Sequence, residues 1–255
     1  MVSNDCPRIW REEFKVHSYE MGPSGYASPQ AICRYLQEAA GNHAVKLGFT
    51  YEDMAQRGQM WVLSQLSLRM SSYPRGQEQV LIETWPVFRG STIRGYRSFT
   101  LRNSAGDILG LATSMWLMLN KETRRPLRLP AELAEFVSPG HEPEFLNPPA
   151  VGDFCGAPQA VREFEIRGSD IDLNLHVNNV SYLEWALETL PAELRLRNKI
   201  VELDISFLAE GKYGSSIQAE CFAVANESAT FLHRIVEQGS TQTLALLRTR
   251  WQPKA

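Results

Sequence analysis

Between residues 28 and 48 apolar side chains return at helical intervals. Ile32, Leu36, Ala39 and His43 share one face of the predicted helix. Ser28-Pro29 supplies an N-cap hydroxyl and a first-turn proline, and Gly48 stands where such a helix would end. A shorter helix is predicted over 51–57. From Trp61 the period falls to two. Segments 61–70, 78–88, 93–103 and 108–120 read as strands, with turn residues such as Asn103-Ser104-Ala105-Gly106 between them. Segment 11–19 reads as a first strand ahead of the helix.

The pattern then pauses and resumes. Seven prolines between 121 and 160 suit a linker crossing a surface, with a short helix after Pro130. Beyond it comes a strand at 161–167, then a loop and a helix from Asn178 to Leu190. Leu183, Ala186, Leu187 and Leu190 form the apolar stripe of that helix, and Pro191 follows it. Strands are predicted at 199–209, 215–225, 229–238 and 241–251. The two halves share one order of elements. Tyr35-Leu36-Gln37-Glu38-Ala39 is also similar to Tyr182-Leu183-Glu184-Trp185-Ala186, and a tryptophan (Trp116, Trp251) marks each final strand. Duplication follows. The expected fold is α+β, a tandem (double) hotdog in which each half is a long helix wrapped by an antiparallel sheet. Expected boundaries are 1–125 for the first hotdog, 126–160 for the linker and 161–255 for the second.

Composition narrows the class. The chain has 255 residues, 44% hydrophobic and 22% charged, as in ordinary globular proteins. A net charge of −3 provides no field that would recruit nucleic acid or a membrane surface. Cys6, Cys33, Cys155 and Cys221 lie far apart, without the clustering of a disulfide framework or zinc site. The reading is of reduced structural thiols, with Cys221 buried in a strand. No signal-type apolar core or membrane-length run is evident, so a cytoplasmic location is expected. No cofactor is expected, because no phosphate-binding glycine loop or metal-ligand cluster is present.

The segment richest in chemistry is Ser169-Asp170-Ile171-Asp172-Leu173-Asn174-Leu175-His176-Val177-Asn178-Asn179. If it is extended, alternation places Asp172, Asn174 and His176 on one face and the aliphatics on the other. The helix capped by Asn178 follows at once, and its free N–H groups and positive dipole end lie beside the polar face. That combination suits acyl transfer to water. Helix amides can hold an oxyanion, and histidine can orient or deprotonate water. Asn174 can hold water or a carbonyl, and Asp172 can set the histidine tautomer or anchor the loop. On spacing alone the same residues read equally well as capping and turn formers, the place for Asp170 and Asn178.

Asp172-Leu-Asn174-Leu-His176-Val-Asn178-Asn179-Val-Ser-Tyr182 closely resembles the signature of the acyl-acyl carrier protein thioesterases, the plant plastid enzymes and their bacterial relatives. The resemblance spans nearly the whole chain. It implies hydrolysis of fatty acyl-carrier thioesters at one site, in the second half. It implies that Asp172 supports Asn174 and His176, and that an acidic residue on a later strand completes the set, here Glu210. Plant members often carry cysteine directly after that glutamate. This chain has Gly211, so a cysteine nucleophile there is ruled out and a water mechanism remains. Which of Glu210 and His176 is the general base stays open. Aligning the two Tyr-Leu pairs puts Gly25, Ala27 and Pro29 opposite Asp172, Asn174 and His176, so the first half lacks the set.

The resemblance assigns substrate contacts to Asn178 and Asn179 and makes the first half the acyl pocket, with Ile32, Leu36, Trp61, Leu63 and Met115 as candidates. Each of these also reads as plain core. His43 reads as a core or helix-surface histidine. The implied partner is an acidic acyl carrier protein, bound transiently. Arg124, Arg125 and Arg128, or Arg195, Arg197 and Lys199, are candidate docking clusters. Other readings are an acyl-CoA thioesterase, a hotdog hydratase and a non-catalytic acyl-binding regulator. The about twelve residues ahead of the first strand are too few for a helix-turn-helix, which counts against the regulator. Homodimerisation is compatible with the sequence and undecided by it, as is chain-length preference.

Overall fold

The computed structural model describes residues 8–87, 93–136, 154, 156–172, 175–240 and 242–254. Of the predicted linker, residues 137–153 and 155 lie outside the described residues, as does Asn174 of the motif. The chain divides into two compact units. The first contains β1 (Trp10–Lys15), α1 (Pro29–Lys46), α2 (Tyr51–Gln56), β2 (Gln59–Met70), β3 (Gln79–Val87), β4 (Arg94–Asn103) and β5 (Ile108–Asn120). Its strands run in the order β1-β3-β4-β5-β2. The second contains β6 (Ala160–Glu165), α3 (Asn179–Glu188), α4 (Ala192–Arg197), β7 (Asn198–Phe207), β8 (Ser216–Ala223), β9 (Thr230–Glu237) and β10 (Thr243–Pro253). Its strands are antiparallel in the order β7-β10-β9-β8-β6. Gln65–Arg69 of β2 belongs with this second unit, paired antiparallel to β7.

The two longer helices, α1 and α3, form where the sequence has both a cap and an apolar stripe. Ser28 Oγ accepts from Ala31 N–H at 3.1 Å with Pro29 at the first turn, and Ile32, Leu36, Ala39 and His43 are buried on α1. Asn178 Oδ1 accepts from Val180 N–H at 2.9 Å, and Leu183, Ala186, Leu187 and Leu190 are buried on or just beyond α3. α1 packs on β1 and β3, and α3 packs on β6, β8, β9 and β10. Each unit is therefore a helix wrapped by an antiparallel sheet, the hotdog architecture. Pro191 does more than stop α3. It occupies the N-cap of α4, a helix absent from the sequence reading. The short helix after Pro130 is a 3-10 turn over Ala131–Phe136.

The repeat is closer than the sequence suggested, but in a different register. β1 and β6 coincide when 150 is added to the first unit's numbers (10 to 160, 15 to 165). The same offset relates the stacked pairs Phe14–Tyr35 and Phe164–Trp185. It also relates the carboxylates that accept from a backbone N–H three residues earlier, Glu20 from His17 and Asp170 from Arg167. The Tyr-Leu alignment is three residues out of this register, because side-chain packing rather than residue identity repeats. The residues opposite Asp172, Asn174 and His176 are therefore Gly22, Ser24 and Tyr26, not Gly25, Ala27 and Pro29.

Two polar clusters lie inside the second unit. Asp204 is fully buried on β7, where its carboxylate accepts from Ser67 Oγ at 2.6 Å and from Arg69 Nη2 at 2.9 and 3.0 Å. His233 on β9 is also fully buried, with its ring nitrogens 3.3 Å from Thr189 Oγ1 and 3.1 Å from Thr249 Oγ1. Burial holds the His233 imidazole neutral, lowering its pKa from 6.5 to about 3. Between those values the unfolded chain binds a proton that the folded chain refuses, so stability falls as pH falls through the window. Urea midpoints measured downward from neutral pH should drop below about pH 6.5, by up to about 1.4 kcal/mol per unit from this residue. His233→Gln should flatten that dependence, and an unchanged slope in the variant would assign the acid sensitivity to other groups. Cys33 and Cys221 are free and buried, with thiol pKa values raised by desolvation. Cys6 and Cys155 lie outside the described residues.

Candidate active site

The segment lies in a loop, as expected, and the extended form that alternation allowed is not adopted. Ile171 and Val177 form an isolated antiparallel bridge. Inside it Asp172 N–H donates to His176 C=O at 2.8 Å and Leu175 N–H to Asp172 C=O at 3.0 Å. Leu175 has φ +62°, the left-handed region, and its side chain is 83% exposed while Val177 is buried. Leu175 and Val177 therefore do not share a buried face. Polar-apolar alternation arose here from turn chemistry, not from a strand. Asp172 Oδ1 accepts from His176 N–H at 3.2 Å, tying both ends of the loop. Asp170 is buried and anchors the loop's start, accepting from Arg167 N–H and the Arg167 guanidinium.

The loop delivers His176 to a carboxylate. His176 Nε2 lies 3.6 Å from Glu210 Oε2, and both side chains are partly open to solvent. Glu210 is not on a strand as expected. β7 ends at Phe207, and Glu210 sits three residues later in the loop to β8. Tyr182 on α3 pins that loop: its hydroxyl accepts from Gly211 N–H at 3.0 Å and lies 3.5 Å from Ala209 C=O. Burial pushes the Tyr182 phenol up to about 12, so it stays a neutral anchor. A β-carbon at Gly211 would lie 2.6 Å from Ile166 Cδ1 and 3.2 Å from Val177 Cγ2, so a cysteine there would require both side chains to shift. Asn178 caps α3 and Asn179 begins it, so the helix N-terminus adjoins His176 in the chain.

This arrangement can bind and polarise a carbonyl at helix amides and move a proton between water, imidazole and carboxylate. Among the described residues no cluster of His, Cys, Asp and Glu could hold a metal ion. The equivalent loop of the first unit carries no such set. There Tyr26 Oη accepts from Arg75 at 2.9 Å under a cation-π contact.

The first unit instead contains a cavity of about 170 Å³. Trp61 lines it, whereas Ile32, Leu36, Leu63 and Met115 are buried and do not. The small residues Ala40, Gly41 and Ala44 of α1 open the space, and Phe49, Trp116 and Arg97 also line it. A small-residue stripe after the apolar ones was the available sequence signal. Arg97 gave none, since an arginine in an alternating strand reads as solvent-facing. Of the basic clusters, Arg195 and Arg197 pair with Glu188 and Glu193, whereas Arg124, Arg125 and Arg128 are exposed.

The fold is of the hotdog class, and comparison with known proteins gives its family. The family models for the acyl-ACP thioesterase N-terminal and C-terminal domains match residues 7–137 and 157–253. The chain belongs to the acyl-ACP thioesterase family. It is 29% identical over 96% of its length to dodecanoyl-[acyl-carrier-protein] hydrolase, chloroplastic, of Cinnamomum camphora. It is 28% identical over 96% of its length to palmitoyl-acyl carrier protein thioesterase, chloroplastic, of Gossypium hirsutum. It spans 68% and 64% of the lengths of these two relatives. The structure of the 12:0-ACP thioesterase from Umbellularia californica superposes with a TM-score of 0.81 at 26% identity, covering 97% of this chain and 98% of that one.

Proposed function

We propose that the chain hydrolyses fatty acyl-carrier protein thioesters to free fatty acid and carrier thiol, at a single site in the second unit. The observation that carries this reading is the approach of His176 to Glu210 beside the N-terminus of α3. Water attacks the thioester carbonyl carbon while the Glu210–His176 pair takes its proton. The oxyanion that forms is held by N–H groups at the start of α3. Collapse breaks the C–S bond, and the pair returns the proton to the departing thiolate, so the balance closes without a cofactor. Asp172 holds the His176 backbone, and Asn174 orients water or substrate. Asn178 and Asn179 present the helix amides to the carbonyl.

In this reading residues 1–125 supply the acyl pocket, 126–160 the linker and 161–255 the catalytic unit. The acidic carrier docks transiently on Arg124, Arg125 and Arg128, three exposed arginines clustered just beyond the end of β5. The protein works in the cytoplasm. Among the described residues no helix is long and apolar enough to cross a membrane.

The test is free-thiol release from saturated acyl-carrier thioesters of about eight to eighteen carbons beside the matching CoA esters. Release from carrier esters at a kcat/KM at least about tenfold above that for CoA esters is expected, a difference of about 1.4 kcal/mol in transition-state binding. Preference for CoA would move the reading to an acyl-CoA thioesterase. No release from any saturated ester would overturn it.

A further inference from the structure

The cavity of the first unit has a wall that an unsubstituted hydrocarbon chain does not require. Arg97 lines it and is only 8% exposed. Arg97 pairs with Pro86 across β3–β4 and with Ser114 across β4–β5, and Gly95 pairs with Trp116, so these residues share one sheet face. From that face the Arg97 side chain reaches α1, where Nη1 donates to His43 Nδ1 at 3.0 Å and lies 3.3 Å from Thr84 Oγ1. The imidazole nitrogen that accepts is unprotonated, so His43 brings no second cation there. Among the described residues no carboxylate is recorded against Arg97, and burial alone lowers its pKa to about 10. It is still cationic at neutral pH. A guanidinium offers five N–H donors, and both recorded bonds use one terminal nitrogen. A buried cation without a counter-charge is costly, and unfilled donors add to that cost. At the wall of an otherwise aromatic and aliphatic cavity, that cost is offset when a ligand brings an acceptor.

We propose that this cavity selects aliphatic chains bearing an oxygen acceptor, which Arg97 receives while the hydrocarbon lies against Trp61, Trp116, Phe49 and Leu47. The inference rests on the acyl-thioesterase reading for its supply of chains. The acceptor has two sources: a hydroxyl or keto oxygen on the substrate chain, or the carboxylate of a released acid.

Binding can be followed directly by tryptophan fluorescence, since Trp61 and Trp116 line the cavity. The probes are methyl dodecanoate, methyl hydroxydodecanoates with the hydroxyl near either end, and dodecanoate, each titrated into the whole chain. Wild type should bind a hydroxylated ester or dodecanoate at least about tenfold more tightly than the plain ester, the size expected of one hydrogen bond to a charged group. Arg97→Met should abolish that preference, and Arg97→Lys should keep part of it. Preference for the hydroxylated esters supports the substrate-chain source, and preference for dodecanoate alone supports the released acid. Equal affinity of wild type for all probes overturns the proposal even if Arg97→Met fails to fold. A preference that survives in folded Arg97→Met overturns it too, leaving Arg97 as a tie between α1 and the sheet. Thioester hydrolysis is assayed separately, so a protein that binds selectively but hydrolyses nothing would sink the proposed function and leave this site standing.

Discussion

Replacing His176 with alanine is expected to lower kcat for acyl-carrier hydrolysis by about two to four orders of magnitude, the usual contribution of a positioned acid-base group. Glu210→Gln should cost a similar amount, since it removes the carboxylate 3.6 Å from the imidazole while nearly preserving shape. The two losses should not add. If the residues move one proton as a unit, the double variant falls about as far as the worse single one. Both side chains are partly exposed in loop positions, so the variants should fold with unchanged thermal midpoints. Steady-state kinetics on the preferred carrier substrate, beside circular dichroism, reads both quantities. Near-normal turnover in both folded single variants would remove the site. Gly211→Cys should not create an alternative nucleophile, because its β-carbon would press on Ile166 and Val177 before the thiol met substrate.

Much of this architecture was legible because caps and periodicity are local. Ser28 and Asn178 mark their helices through hydrogen bonds to the first turn, and the strand runs alternate on a plain period of two. Errors arose where one local pattern has two physical origins. Asp172 to His176 alternates as a strand would, yet the loop closes on itself through backbone bonds and the positive φ of Leu175. The internal repeat was misaligned because Tyr35 corresponds to Trp185 and not to Tyr182, the shared feature being a ring stacked on Phe14 or Phe164. Long-range facts left no local trace. Nothing near Arg97 announces a buried cation beside His43, and nothing near Glu210 announces the Tyr182 hydroxyl that pins its loop. The motif pointed to His176 and Glu210 through family resemblance, and their approach is a property of the folded loops.

The largest stability loss is expected at Asp204. Its carboxylate is fully buried and accepts from Ser67 Oγ and twice from Arg69. Asp204→Ala would leave the buried Ser67 hydroxyl without its acceptor and take from Arg69 the carboxylate that its Nη2 donates to, at a cost of about 3–5 kcal/mol, a large share of ordinary domain stability. Replacing the whole cluster tells the other half. With Ser67→Ala, Arg69→Met and Asp204→Leu together the hydroxyl, guanidinium and carboxylate leave as a set, and the loss should shrink to about 1 kcal/mol or vanish. Urea denaturation of both variants measures the contrast, and equal losses would show that the cluster's value is not electrostatic. If the contrast holds, the aspartate is kept for what it forbids. Ser67 pairs directly with Asp204, while Leu66 and Leu68 pair with Ile205 and Leu203. A one-residue slip of β2 on β7 would set Asp204 against leucine and leave the charge unpaired. The triple variant should therefore keep its stability while losing uniqueness of register, visible as broadened or doubled amide signals for residues 65–69 and 202–206.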